Sequence, residues 1–289
     1  MIIEPNRAAS ERISLSQLFL GPGGALTMAG SVDLADYSRF KHGDLAVAST
    51  YGAALAEAFA ARLSTEVTRL KVTSSAFGFV PPAAYSLVAP FVDRLRAVTH
   101  LEVEYFKVDR LTVTNGDYAT MPIEQRKRAL GDGSLLVDPQ ASLVGEHVVA
   151  VDDVRITGTH EAVMDDCLVK GGAASVQHLY VVDAFQSRHN PVAEGAMNAA
   201  SVRTTADLTD IANSPTFAPN ARFCKWVITL PEHEMIKFIE TAPEAVTRWV
   251  VEAVALDALH RYPAYAAGAA AFRRMAAGDI GRVGSHTRF

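Results

Sequence analysis

The chain has little cysteine and no excess of positive charge, and each shortage excludes a class of protein. It contains two cysteines, Cys167 and Cys224, in 289 residues, which is too few for the disulfide framework of a small secreted domain. The formal net charge is −5 and the pI is about 6.0, so the chain lacks the basic footprint of a nucleic-acid-binding protein. We therefore expect a protein of the reducing cytoplasm that has no nucleic-acid partner.

Long apolar runs are also missing. The N-terminus, MIIEPNRAASER, has no apolar stretch preceded by positive charge, which predicts that the chain carries no signal peptide. The most apolar late stretch, Ala253 to Phe272, is interrupted by charged residues and by Pro263. It therefore predicts a pair of helices or a broken helix rather than a membrane span, and we expect no membrane partner.

The most informative stretch is Val148 to Glu161, which reads VVAVDDVRITGTHE. Its first four residues predict a buried strand of a parallel sheet, the acidic pair Asp152 and Asp153 predicts a turn, and the residues after Gly158 predict a helix. The N–H groups and the dipole of a helix N-terminus bind anions such as phosphate, and two carboxylates can hold sugar hydroxyls or a hydrated Mg²⁺. The alternative is that Asp152 and Asp153 only cap the helix.

Hydrophobic periodicity predicts the elements that precede this stretch. Apolar residues at helical spacing predict a helix from Leu45 to Leu63 with Asp44 as its N-cap; the rival interpretation is a strand at Leu45 to Ser49 followed by a phosphate loop. Alternating residues predict a strand that begins at Val67 and ends near Thr73. It would deliver Ser74 to Phe79 into a loop, which either offers donors to an anion or only connects two elements.

A third strand is predicted at Leu101 to Val108, and basic residues gather around a turn after it. These basic residues are either a solvated charged face or a mobile lid that carries cations over a pyrophosphate. Neither spacing nor composition decides between the two.

The remaining segments are less regular. The pattern predicts a core strand at Ala174 to Val182, a long polar connection at Gln186 to Asn220 that covers an acceptor site, and a further strand at Phe223 to Leu230. From Glu232 the chain becomes helical. We divide it into an N-terminal wrapping segment at 1–37, an α/β domain at 38–230 and a C-terminal helical extension at 231–289.

The stretch VVAVDDVRITGTHE resembles the phosphoribosyl diphosphate (PRPP) motif of type I phosphoribosyltransferases. That pattern is an apolar run, Asp-Asp, an apolar residue, two variable residues and then Thr-Gly-x-Thr. The chain matches through Gly158. It departs at Arg155, where an apolar residue is common, and at His160, where the family usually has Thr or Ser.

The order of segments from Ser38 to Val182 resembles the ComF-like branch of these enzymes. The branch has a Lys-x-Gly segment, here Lys41 to Gly43, a pyrophosphate loop, here Thr73 to Gly78, and an Arg-rich flexible loop, here Arg110 to Arg126. The usual Arg-Gly-Phe-Asn run is absent. The nearest group is the ComF-like phosphoribosyltransferases encoded in bacterial tellurium-resistance and stress gene clusters.

The resemblance implies a role for each part of the motif and its neighbours. The ribose hydroxyls and Mg²⁺ are implied to bind at Asp152 and Asp153. The 5-phosphate is implied to bind at Arg155, Ile156, Thr157, Gly158, Thr159 and His160, although His160 is either a phosphate ligand or a polar residue at the helix start. The pyrophosphate is implied to bind at Thr73, Ser74, Ser75, Ala76, Phe77 and Gly78. The groups implied to act in catalysis are Asp152, Asp153, Arg110 and Arg126.

These features imply an α/β fold with a parallel-sheet phosphoribosyltransferase-like core, helices on both faces, a hood or lid and a C-terminal helical extension. The first hypothesis is an enzyme that uses Mg²⁺ to transfer phosphoribosyl from PRPP to a base-like acceptor with release of pyrophosphate, with a homodimer as an open option. The second is a non-catalytic PRPP or nucleotide sensor, which His160 motivates. The third is an α/β hydrolase or a kinase that acts on a sugar phosphate.

Overall fold

A six-stranded sheet in the order β2-β1-β8-β7-β3-β4 forms the centre of the molecule. The computed structural model describes residues 12–21, 25–64, 66–111, 134–190 and 192–278. The strands of the sheet are β1 (Ile13–Leu20), β2 (Leu26–Gly30), β3 (Arg69–Ser74), β4 (Glu102–Tyr105), β7 (His147–Arg155) and β8 (Ser175–Asp183). A separate antiparallel pair consists of β5 (Val108–Arg110) and β6 (Leu135–Val137).

Strand β7 lies between two parallel neighbours. It pairs with β3 through Ser74 opposite Val151, and with β8 through Asp152 opposite Tyr180. Because parallel strands end at the same edge of a sheet, the residue after β3, Ser75, arrives beside Asp152. The predicted strand is confirmed and continues to Arg155.

Helices cover both faces of this sheet, as predicted. Alternate residues of β7 point in opposite directions, so Val149 and Val151 join the core on one face, whereas Val148 and Ala150 join the core on the other. The helices that pack on the sheet domain are α1 (Leu34–Lys41), α2 (Leu45–Ala60), α3 (Val88–Val98), which a 3₁₀ turn at Ala83–Leu87 precedes, and α4 (Thr159–Lys170).

The chain after β8 is helical. Most of it packs around a second apolar core that contains the fully buried Phe223, Phe238 and Phe272; we call the segment 202–276 the hood. The proposed boundary at residue 231 falls inside this core. The helices of this part are α5 (Ala193–Asn198), α6 (Thr205–Ala212), α7 (Ala221–Val227), α8 (Glu232–Thr241), α9 (Glu244–Leu256) and α10 (Pro263–Ala276).

The structure corrects the prediction of an N-terminal wrapping segment. Strand β1 pairs in parallel with β8, and its residues Ile13 and Leu18 are buried in the main core. Strands β1 and β2 therefore form one edge of the sheet. Of the glycines that suggested a wrapping segment, Gly21 follows β1 and Gly30 ends β2.

The prediction of a strand at Phe223 to Leu230 is also wrong, because this segment contains α7. A short apolar run does not distinguish a buried strand from a buried helix. The connection at Gln186 to Asn220 likewise contains α5 and α6, and α6 begins at a capping box formed by Thr204 and Asp207. The strand predicted at Leu101 to Val108 is divided, since β4 ends at Tyr105.

Other predictions from periodicity are confirmed. Helix α2 begins at Leu45, and the Asp44 carboxylate accepts from the N–H groups of Ala46 and Val47. The late apolar stretch is broken, since α9 ends at Leu256 and α10 begins at Pro263. Among the described helices, none has the length and apolar content needed to cross a bilayer.

The hood joins the sheet domain at Gly43, a residue with φ of +106°. The Gly43 carbonyl accepts from the Ala218 N–H at 2.9 Å. A Cβ at Gly43 would lie 2.5 Å from the Ala218 carbonyl oxygen, so only glycine fits the backbone conformation and the close contact together.

We expect Gly43→Ala to lower the free energy of unfolding by more than about 1 kcal/mol, because the substitution introduces both backbone strain and a clash. Gly145→Ala is the matched control: Gly145 has φ of +76° and no atom within 4 Å of a built Cβ, so that variant introduces only the strain. Urea unfolding of both variants measures the difference, and equal losses would contradict a tight junction at Gly43.

Candidate functional site

A cavity of about 660 Å³ lies between the carboxyl ends of β3 and β7 and the hood. Most of the residues predicted from the sequence line it. These are Ser75, Ala76, Phe77, Gly78, Arg110, Asp152, Asp153, Arg155, Ile156, Thr157, Gly158 and His160. Thr73, Ser74 and Thr159 do not line it, and Arg126 lies outside the described residues.

The acidic pair belongs to the end of β7 rather than to a turn, which corrects the prediction from the sequence. Asp152 Oδ1 accepts from Ser75 Oγ at 2.5 Å and from the Asp153 backbone N–H at 2.8 Å. Neither carboxylate caps α4, whose N-cap residue is Gly158. The interpretation of the pair as simple helix caps is therefore wrong.

Asp153 forms an ion pair with Lys41, the last residue of α1. The side chains are 8% exposed for Lys41 and 12% exposed for Asp153, so water screens the two charges weakly. Our predicted site residues omit Lys41, although the Lys-x-Gly segment of the resemblance contained it. The pair leaves Asp152 as the more available carboxylate of the two.

The segment after β7 makes a turn suited to an anion. Gly158 has φ of +74°, and the Thr157 and Thr159 hydroxyl oxygens are 2.9 Å apart. The first N–H groups of α4 lie at this turn, where a helix of 12 residues presents the positive end of its dipole. Thr159 is at the helix start but outside the cavity wall, so its hydroxyl acts through Thr157.

Arg155 is held in place by two acidic residues and an aromatic ring. Its guanidinium lies 2.9 Å from Glu161 and 3.3 Å from Asp183, and 4.0 Å from the centre of the Phe185 ring. Burial raises the pKa of Glu161, but hydrogen bonds from Arg12 and Tyr180 outweigh that effect and the pKa is lowered. Glu161 is therefore ionised and fixes the Arg155 side chain at the cavity wall.

His160 occupies the position where the PRPP motif usually has a hydroxyl. Its Nε2 atom is shielded from solvent, has no hydrogen-bond partner among the described residues and lies 3.9 Å from an Asp152 oxygen. Burial lowers the pKa of His160 below its ordinary value, and the attraction of the Asp152 charge offsets this only in part. The imidazole is therefore neutral at pH 7.

The loop predicted to hold pyrophosphate is anchored at several points. Thr73 and Ser74 are buried residues of β3, so the strand ends one residue after the predicted end and the loop starts at Ser75. Pyrophosphate binding at Thr73 and Ser74 stays a prediction. Lys107 Nζ donates to the Gly78 carbonyl at 2.5 Å and lies 4.6 Å from the centre of the Phe77 ring. These contacts fix the position of the loop, whose residues Ser75 to Gly78 line the cavity.

The hood contributes a further wall that sequence reasoning missed. Arg222, Lys225 and Trp226 of α7 line the cavity, as does Asp257, whose Oδ1 accepts from the backbone N–H groups of the loop at Phe79 and Val80. The prediction of a strand for this segment concealed the fact that the α7 residues share one helical face.

A divalent metal fits this site only in part. Within the described residues, no group of three or more His, Cys, Asp or Glu side chains is arranged to hold a metal ion. Magnesium, however, is usually held by one or two carboxylates together with substrate phosphates and water. Asp152 supplies one such carboxylate, so the donor set fits a metal that arrives with a phosphorylated substrate.

Comparison with known protein families identifies the family of the chain. The sequence profile of the PRTase ComF-like family matches residues 28–268. The chain belongs to this family. The match includes the Lys41 segment, the PRPP motif and most of the hood of this PRTase ComF-like protein, whereas no curated protein matches the chain.

Similar solved structures are phosphoribosyltransferases that align with about half of the chain. The Staphylococcus aureus hypoxanthine phosphoribosyltransferase is 13% identical, with a TM-score of 0.31, and covers 47% of this chain and 64% of its own. The Leishmania donovani hypoxanthine-guanine phosphoribosyltransferase is 13% identical, with a TM-score of 0.33, and covers 48% of this chain and 68% of its own. The Trypanosoma cruzi hypoxanthine phosphoribosyltransferase, a mutant in complex with the product IMP, is 12% identical, with a TM-score of 0.33, and covers 49% of this chain and 66% of its own. The chain thus spans about two thirds of these structures.

We expect Lys41→Met to lower the free energy of unfolding by about 3 kcal/mol, because it leaves the Asp153 carboxylate buried without its partner. The double variant Lys41→Met, Asp153→Asn removes both charges and should lose less stability than the single variant. Urea unfolding of the two single variants and the double variant gives the coupling energy; additive losses would contradict a tight ion pair.

The shifted pKa of His160 predicts a pH dependence of stability. Because the folded state holds the pKa below its unfolded value of about 6.5, the unfolded chain binds the proton first and stability falls as the pH drops below that value. The free energy of unfolding should therefore change less between pH 7.5 and pH 5.5 in His160→Gln than in the original chain. A substitution of the exposed His233 serves as the control, and an unchanged difference in His160→Gln would refute the assignment.

Proposed function

We propose that this PRTase ComF-like protein binds PRPP with Mg²⁺ and transfers its phosphoribosyl group to an acceptor, with release of pyrophosphate. The observation that carries the proposal is the PRPP motif, because the end of β7 and the start of α4 bring the Asp152 carboxylate and the turn at Thr157 and Gly158 into one cavity. Membership of the family supports this proposal.

Different residues of the chain bind the 5-phosphate, the ribose and the pyrophosphate of PRPP. The turn at Thr157 and Gly158, with the first N–H groups of α4, binds the 5-phosphate. Asp152 accepts hydrogen bonds from the ribose hydroxyls, and Lys41 forms an ion pair with Asp153 beside it. The loop from Ser75 to Gly78 receives the pyrophosphate.

Departure of pyrophosphate leaves positive charge on the sugar carbon. The Asp152 carboxylate stabilises that charge, and Arg110, which lines the cavity, stabilises negative charge on the leaving oxygens. When bound, Mg²⁺ neutralises charge on the pyrophosphate, and Asp152 is the carboxylate that would hold it. The roles predicted for Arg126 and for Asp153 as a metal ligand, and the link to tellurium-resistance and stress gene clusters, stay predictions.

A sensor that binds PRPP without turnover is the second candidate. The observation that favours it is His160, a bulky neutral ring at a position where a small hydroxyl usually contacts phosphate. The two candidates differ in the release of pyrophosphate: an enzyme releases it when PRPP, Mg²⁺ and a suitable base are present together, whereas a sensor is only stabilised by PRPP.

We expect Asp152→Asn to weaken Mg²⁺-dependent binding of PRPP by about tenfold or more, because the amide removes a charge-assisted hydrogen bond and a metal ligand. Isothermal titration with PRPP, with and without Mg²⁺, measures the effect. Asp166→Asn is the control, since Asp166 is exposed on α4 and pairs with Lys170. Undiminished affinity in Asp152→Asn, and also in the double variant with Asp153→Asn, would falsify the site.

A further inference from the structure

Helix α7 has one buried face and one face that lines the cavity. Phe223, Cys224 and Val227 are fully buried in the hood core. The residues of this segment that line the cavity are Ala221, Arg222, Lys225, Trp226 and Thr229. Arg222, Lys225 and Trp226 are spaced by three and four residues, which places them on one side of α7, and Thr229 lies just after the helix. We call Arg222, Lys225, Trp226 and Thr229 the α7 stripe.

The α7 stripe contacts the segment that carries the lysine of the buried ion pair. The Trp226 ring centre is 4.9 Å from that of His42, and His42 follows Lys41, whose ammonium contacts Asp153. A planar ligand that stacks on the indole would therefore lie in the same cavity as the acidic pair. Indole rings provide a large, stiff surface for planar molecules.

The charged residues of the stripe determine which polar groups of a ligand can bind there. Arg222 and Lys225 carry hydrogen-bond donors and no acceptors. Arg222 lies 4.0 Å from Glu194, and the Lys225 ammonium lies 5.4 Å from the Tyr265 ring centre, so both side chains are held at the cavity wall. A planar molecule against this wall meets donors, and an anionic oxygen group is their best match.

The phosphates of PRPP have other binding groups in our proposal. The start of α4 and the loop after β3 both belong to the sheet domain, whereas α7 belongs to the hood and faces them across the cavity. An indole contributes little to binding of a phosphate. The α7 stripe therefore fits the second substrate better than it fits PRPP.

We propose that the α7 stripe is the acceptor subsite and that the acceptor is a planar aromatic acid, stacked on Trp226 with its carboxylate against Lys225 and Arg222. This inference rests on the proposed function, because it names the second substrate of the same site. The lone pair of a ring nitrogen of the acid attacks the sugar carbon and forms the new bond as the bond to pyrophosphate breaks, and the bonding pair leaves with the pyrophosphate. A ring nitrogen that carried a hydrogen loses it as a proton to water.

The test compares planar compounds that differ in their charge. The pairs are nicotinate with nicotinamide and orotate with uracil, each titrated into the full chain with Mg²⁺ and PRPP and followed by ligand-observed NMR and by pyrophosphate release. We expect at least one acid to bind or react about tenfold better than its neutral partner, in line with a charge-assisted hydrogen bond. Lys225→Met should remove most of that preference, and Lys225→Arg should keep it.

The outcomes separate this inference from the proposed function. Acids that bind no better than their neutral partners, or a preference that survives in Lys225→Met, would overturn the acid subsite while PRPP binding stands. A loss of PRPP affinity in Lys225→Met equal to the loss for the acid would also overturn it, because the stripe would then serve PRPP. Failure of PRPP to bind the original chain would refute the proposed function and, with it, the role of the acid as acceptor. The acid preference measured without PRPP would then show whether the α7 stripe binds aromatic acids independently.

Discussion

The site depends on one constraint, which is that β7 lies between β3 and β8 in the interior of the sheet. Its residues Val148 to Val151 are buried on both faces, so the strand cannot slide in register without moving apolar side chains out of the two cores. That fixed register places Asp152 beside Ser75 and Asp153 beside Lys41. The polar edge is therefore positioned by apolar packing.

Strand β1, which the sequence analysis assigned to a wrapping segment, also stabilises the site. Arg12, at the start of β1, donates to Glu161 at 2.8 and 3.0 Å, and Tyr180 of β8 donates to the same carboxylate at 2.8 Å. Glu161 in turn holds Arg155. The N-terminal strand thus stabilises the turn at Thr157 and Gly158 through Glu161, although it does not line the cavity.

The sequence predicted the parts of the fold whose patterns are local. A buried apolar run followed by Asp152 predicted β7, and Asp44 predicted the start of α2, because each signal lies within a few residues of its effect. The partner of Asp153 was not predictable in this way, since the spacing between residues 41 and 153 contains no information about their distance. Helix α7 was not predictable either, because its short apolar run fits a strand as well as a helix. Which of its residues face the cavity depends on how the helix packs in the hood.

Asp257 has a consequence for how the molecule reaches its native state. Its Oδ1 accepts the N–H groups of Phe79 and Val80 across 178 and 177 positions of sequence, so the loop after β3 gains these two bonds only when the end of α9 has docked. The sheet can assemble from the first two thirds of the chain as it is synthesised, whereas the two bonds from the loop after β3 to Asp257 form only once the last third of the chain is present.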